Sequence, residues 1–161
     1  MRIELLQQMP IFGAVEEDAL RFLLEPVPTI TVPAGQFFFR ERDPADCMYV
    51  LETGRVSVLK DWAGRELLLR DLGQGDCFGE MALLDLFARS ASVRAIDNCS
   101  AMALTSAHLY RLFEHDAAQF ALIQMNIGRE MSRRLREADE QLFRATMGEP
   151  RSAPDTTFHT I

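Results

Sequence analysis

The sequence predicts an α+β domain, mainly β, in which short N-terminal helices precede an antiparallel barrel or roll and a long C-terminal helix follows it. Three observations carry this. Leu5, Leu6 and Met9, then Ala19, Leu20, Leu23 and Leu24, fall at helical spacing and stop at Pro26, Pro28 and Pro33. From Ile30 to Thr105 the apolar runs become short or alternating, and Gly35, Asp43-Pro44, Gly54, Gly64, Gly73 and Gly75 cut them at the interval of an antiparallel roll. After Thr105-Ser106, a pair suited to capping a helix, the pattern is helical to about Thr146, with one break near His115-Asp116.

Within the β region, Asp97-Asn98 separates Val93–Ile96 from Ala101–Leu104 and predicts the last hairpin. In the long helix, Phe120, Ile127, Met131, Leu135, Ala138 and Leu142 recur at steps of three, four or seven, a narrow stripe that suits a helix–helix seam. Arg133, Arg134 and Arg136 are interleaved with Glu130, Glu137, Asp139 and Glu140, the composition of a solvated salt-bridge face rather than of a nucleic-acid contact. One domain is expected over 1–146, with the barrel at about 27–105 and the C-terminal helices at about 106–146; 147–161 is expected to be a flexible tail.

Composition narrows the function. With 161 residues and 48% hydrophobic content the chain can bury one core. A net charge of −7 argues against wrapping a nucleic-acid backbone or lying on an anionic membrane, since both need a basic face. Met1–Pro10 lacks the apolar core of a signal peptide and no run approaches the ~20 apolar residues that span a bilayer, so a soluble, cytoplasmic protein is expected. Cys47, Cys77 and Cys99 are too widely spaced for a disulfide framework or a metal knuckle and are expected to be buried thiols. His108, His115 and His159 lie outside the predicted barrel, which leaves a cupin-like metal enzyme without ligands; with no evident catalytic triad either, no metal and no enzymatic activity are expected.

The densest chemistry lies at Asp76-Cys77-Phe78-Gly79-Glu80-Met81-Ala82-Leu83-Leu84 followed by Ala88-Arg89-Ser90-Ala91-Ser92-Val93. Gly79 permits a close backbone approach, and Glu80–Leu84 can open as one helical turn whose amides face an anion. Arg89 supplies a guanidinium fork for a phosphate. Glu80 would repel that phosphate, so it is better placed to accept a hydrogen bond from a neutral hydroxyl, as on a ribose. The combination points to a nucleotide with one phosphate.

These residues resemble the phosphate-binding element of cyclic nucleotide-binding domains, as found in the bacterial cyclic-AMP receptor protein family and in cyclic-nucleotide-regulated kinases and channels. Met9-Pro10-Ile11-Phe12, Val32-Pro33-Ala34-Gly35-Gln36, Asp43-Pro44-Ala45-Asp46 and Gly54-Arg55-Val56-Ser57-Val58 extend the resemblance from about Leu5 to Leu142. It implies a jelly-roll barrel, the 2′-hydroxyl on Glu80, and the cyclic phosphate on Arg89, Ser90 and the amides of Ala82 and Leu83. Phe78, Gly79, Met81 and Ala91 complete that element. For the base, the positions implied are Val58, Leu69, Arg70, Arg134, Ala138 and Asp139, the last two standing where the receptor has paired hydroxyl residues. Ser90 after Arg89 leans toward cyclic AMP, with cyclic GMP the alternative.

Two positions depart from the family pattern. Arg42 stands where Gly is usual, and Leu86-Phe87-Ala88 gives the loop before Arg89 an apolar tip. The helix-turn-helix that follows in the receptors has no counterpart in 148–161, so direct DNA binding is not expected. The expectation is a stand-alone cyclic nucleotide sensor, a homodimer through its long helix, that relays movement of that helix to an unknown effector protein. The alternative is a domain of this fold that has lost its ligand and serves protein interaction alone.

Overall fold

The computed structural model describes residues 2–85 and 87–148; Leu86, His159 and most of the predicted tail lie outside them. Helix α1 (Arg2–Gln7), a 3-10 turn at Pro10–Phe12 and α2 (Glu17–Leu24) lead into eight strands, β1 (Thr29–Val32), β2 (Phe37–Phe39), β3 (Cys47–Thr53), β4 (Val56–Trp62), β5 (Arg65–Leu72), β6 (Cys77–Phe78), β7 (Ser92–Ala95) and β8 (Cys99–Thr105). A 3-10 helix at Glu80–Leu83 lies between β6 and β7, and α3 (Ser106–His115) and α4 (Ala117–Thr146) follow.

The strands form two antiparallel sheets in the orders β1-β8-β3-β6 and β2-β7-β4-β5. Leu51, Phe78 and Ala101 from the first and Val56, Val58 and Val93 from the second share one core, so the sheets face each other as a jelly roll does. The period of two sends the alternate residues Met48, Val50, Met102 and Leu104 to the opposite face. There they pack with Leu6, Phe12, Leu20, Leu112, Ile123 and Ile127 of the helices. The first sheet is thus buried on both sides, and the fold class is the one the sequence predicts.

The Asp97-Asn98 hairpin is a correction. β7 and β8 do not pair with each other but lie in different sheets, and the turn carries the chain across. A two-residue hairpin needs left-handed residues at its centre, and neither Asp97 nor Asn98 has a positive φ. Their side chains tie the crossing instead, Asp97 Oδ2 accepting from Arg55 Nε at 2.9 Å and Asn98 Oδ1 from the Ala34 amide at 3.0 Å. The left-handed pair sits at Ala63-Gly64 (φ 51° and 76°), where β4 turns into β5.

Thr105 caps α3 as predicted, and His108 completes the box: the Thr105 hydroxyl accepts from the His108 amide at 3.3 Å while His108 Nδ1 accepts from the Thr105 amide at 3.0 Å. Asp116 breaks the two C-terminal helices and caps the second through the Gln119 amide at 3.1 Å. Helix α4 is anchored by Asn126, a buried amide that donates to the carbonyls of Ile11 at 3.3 Å and Gly13 at 2.8 Å. The predicted stripe splits in two. Ile127 is in the core with Phe120 and Met131 packed beside it, whereas Leu135, Ala138 and Leu142 stand exposed on a helical end with every residue from Ala138 to Thr146 in solvent.

Candidate functional site

The site forms where β6 ends. Phe78 is fully buried, its ring 5.0 Å from Phe38 and 5.3 Å from Tyr49, and it fixes the strand against the core. Gly79 then turns with φ 77° into the 3-10 helix that begins at Glu80. A Cβ on Gly79 would stand 2.5 Å from Arg89 Nη1, so glycine is required both for the turn and for the arginine beside it.

Arg89 is only 6% exposed. Its guanidinium lies over the Phe39 ring at 4.0 Å, Nη1 donates to the Gly79 carbonyl at 3.3 Å, and Nη2 lies 3.8 Å from Cys47 Sγ. The backbone holds it from the other side, with the Arg42 amide donating to the Arg89 carbonyl at 2.8 Å and the Arg89 amide to the Asp43 carbonyl at 2.9 Å. Arg42 sits in that turn at φ 74°, so the position where the family has Gly keeps its left-handed backbone and carries a side chain. Among the described residues Arg89 has no carboxylate partner, and its Nε is buried without an acceptor.

Glu80 has no exposed surface. Oε1 accepts from Arg134 Nη1 of α4, while Oε2 is buried with no donor. Burial raises the Glu80 pKa, and the Arg134 charge opposes the rise. Arg134 has Nε and Nη2 buried without a hydrogen-bond acceptor, Nε lying 3.7 Å from Glu130 Oε1. The arginines read as a solvated salt-bridge face are therefore divided: Arg133 pairs with Glu130 and Glu137 along the helix, while Arg134, which the resemblance also implied as base-facing, turns inward to Glu80.

Phe78, Gly79, Met81, Ala82, Arg89, Ser90, Ala91 and Val58, all singled out in the sequence, line one cleft of about 470 Å³ counted to its open mouth, with Phe39 and Phe87 on its wall. The Ala82 amide already donates to the Gly79 carbonyl at 3.2 Å, and Leu83 packs toward the helical core. Lys60 donates to the Ser90 carbonyl at 2.5 Å and pairs with Glu41 at 2.9 Å, which fixes the residue after Arg89. Phe87 is 74% exposed at the loop tip. Arg70 is half-buried, Leu69 is exposed, and Ala138 and Asp139 lie on the solvent-facing end of α4.

Sequence reasoning missed the Arg134–Glu80 link and the Phe39–Tyr49–Cys47 surround of Arg89. Three consecutive phenylalanines ending at Arg40 were a visible signal, but their facing could not be read without the β2 register. Among the described residues no group of His, Cys, Asp and Glu is placed to hold a metal ion, and no helix is long and apolar enough to cross a membrane.

Residues 29–116 match the family described as the cyclic nucleotide-binding domain. The chain belongs to that family. The Cyclic AMP receptor protein of Thermus thermophilus is 30% identical over 144 residues, 89% of this chain and 65% of that protein. The cAMP-dependent protein kinase regulatory subunit of Emericella nidulans is 36% identical over 90 residues, 56% of this chain and 21% of that protein. Among solved structures, the Thermus thermophilus Catabolite Activator Protein superposes with a TM-score of 0.77 at 29% identity, covering 86% of this chain and 63% of that one. The cyclic nucleotide-binding domain here thus spans under two thirds of the length of these relatives.

Proposed function

We propose that this chain binds a 3′,5′-cyclic purine nucleotide in the Gly79–Arg89 cleft and reports occupancy through α4. One observation carries the reading: Arg89 is a buried guanidinium without a counter-ion among the described residues, and burying a charge unpaired is costly unless a ligand anion completes it. A single phosphate beside Gly79 does so. Glu80 Oε2 is a buried acceptor with no donor and Arg134 Nη2 a buried donor with no acceptor, and one ribose hydroxyl can donate to the first and accept from the second. These contacts are common to purine cyclic nucleotides, and the names of the receptor and kinase relatives make cyclic AMP the first ligand to try.

The role is binding and regulation rather than catalysis, with residues 1–146 acting as one unit. A ligand at Glu80 also touches Arg134 and so acts on α4, and its differential affinity for two α4 positions is what shifts their populations. Leu135, Ala138 and Leu142 continue the helical seam where α4 has left its own core, and an unpacked helical end is marginal in water. A second copy, aligned in parallel along that stripe, covers it; an effector protein then reads the dimer. The test is displacement of a fluorescent cyclic nucleotide by cyclic AMP, cyclic GMP and 5′-AMP. The proposal expects displacement by a cyclic form and its loss in Glu80→Ala; absence of any fluorescent-ligand binding would favour a pure interaction module.

A further inference from the structure

Side chains alternate along a strand, so the consecutive phenylalanines of β2 would send Phe37 and Phe39 to one face and Phe38 to the other. The register of β2 on β7 shifts between Phe37 and Phe39, and the alternation breaks there. Phe37 stands opposite Arg94 and faces outward, with the guanidinium of the exposed Arg40 4.0 Å from its ring. Phe39 stands opposite Val93, a core residue, and its ring turns inward beside Phe38, 6.0 Å from Tyr49 and 6.1 Å from Phe78. The irregularity thus brings a ring to the wall of the cleft, 4.0 Å from the Arg89 guanidinium.

Among the described residues, the groups that hold the Arg89 side chain are neutral: that ring, the Gly79 carbonyl and the Cys47 thiol. A carboxylate in their place would fix the arginine but also spend its charge, and would compete with a ligand anion for the same N–H groups. A ring stacked on the guanidinium face fixes the plane and leaves the edge, where the N–H donors point, free. Nε, buried with no acceptor, is such a donor. Resting on the cyclic-nucleotide reading above, we infer that Phe39, turned inward by the irregularity in β2, is the positioning residue of the phosphate arginine. It holds the plane of Arg89 with the donor edge toward the anion and does so without neutralising the charge. Part of the affinity for the nucleotide therefore resides in β2, and it acts through Arg89.

The experiment is a double-mutant cycle in the full chain, Phe39→Leu and Arg89→Lys alone and together, titrated calorimetrically with cyclic AMP and cyclic GMP. Circular dichroism confirms that each variant folds, and Phe39→Met carries the same expectation should Phe39→Leu unfold the roll. Lysine keeps the charge at position 89 but has no plane to hold. The inference expects Phe39→Leu to weaken the tighter nucleotide about tenfold when Arg89 is present and less than about twofold in Arg89→Lys. Phe39→Tyr, which keeps the ring, should stay within about threefold of wild type. Equal losses in the two backgrounds would make Phe39 a packing residue only and overturn the inference, leaving the cyclic-nucleotide reading intact. So would wild-type affinity in a folded Phe39→Leu. A wild type that binds neither nucleotide would overturn both.

Discussion

Arg134 of α4 donates to the carboxylate of Glu80, 54 residues earlier in the chain, and so joins the 3-10 turn that follows β6 to the long C-terminal helix. Each partner keeps unsatisfied buried atoms after the pair is made. The contact therefore holds α4 in place without completing the hydrogen bonding there, which is the condition under which a small polar ligand can act on helix position.

The pair has a pH signature. Burial, opposed by Arg134, holds the Glu80 pKa above its ordinary value of 4.5 in the folded protein. Through the window that begins there, the folded state retains a proton the unfolded chain has released, so this group's contribution to stability falls as pH rises and is fully lost above the folded pKa. Glu80→Gln cannot ionise. Urea denaturation between about pH 4 and pH 7 should show wild-type stability declining relative to that variant; a difference that grew with pH would mean the carboxylate is stabilised as an anion.

Gly79→Ala should destabilise the fold by about 1–2 kcal/mol from the left-handed backbone alone, with an added cost from the Cβ meeting Arg89 Nη1. Nucleotide affinity should fall with it, because the guanidinium has to move. Chemical denaturation and titration of the same variant check both, and unchanged affinity would show that Arg89 tolerates displacement.

Much of this arrangement was legible beforehand. The turn at Gly79 and the split of the chain into helix, roll and helix follow from local chemistry and spacing. The Asp97-Asn98 crossing did not, because short polar turns look alike whether they join neighbours in one sheet or strands of two. Nor did the Arg134–Glu80 contact: in sequence Arg134 shares its charge neighbourhood with Arg133, and only the rotation of α4, set by Ile123, Asn126 and Ile127, turns one outward and the other in.

Asn126 fixes that rotation. Asn126→Ala removes both bonds to the Pro10–Gly13 turn and should cost about 1–3 kcal/mol, since it strands buried carbonyls. Thermal denaturation reads the loss. A variant as stable as wild type would mean that water replaces the amide.

The exposed stripe predicts assembly. Leu135→Asp with Leu142→Asp should convert a dimer to a monomer in sedimentation equilibrium without altering the circular dichroism of the roll, because both side chains project from the domain. A wild-type chain that sediments as a monomer would assign the stripe to another partner.

The most direct test of the central claim is isothermal titration calorimetry of the chain and of Arg89→Ala with cyclic GMP and cyclic AMP. The account predicts saturable one-site heat with at least one of them at micromolar or tighter Kd. Arg89→Ala should weaken it by about 2–5 kcal/mol, because the phosphate loses its buried charge-assisted fork. Equal affinity in the wild type and in Arg89→Ala, or no heat with either nucleotide, would contradict it.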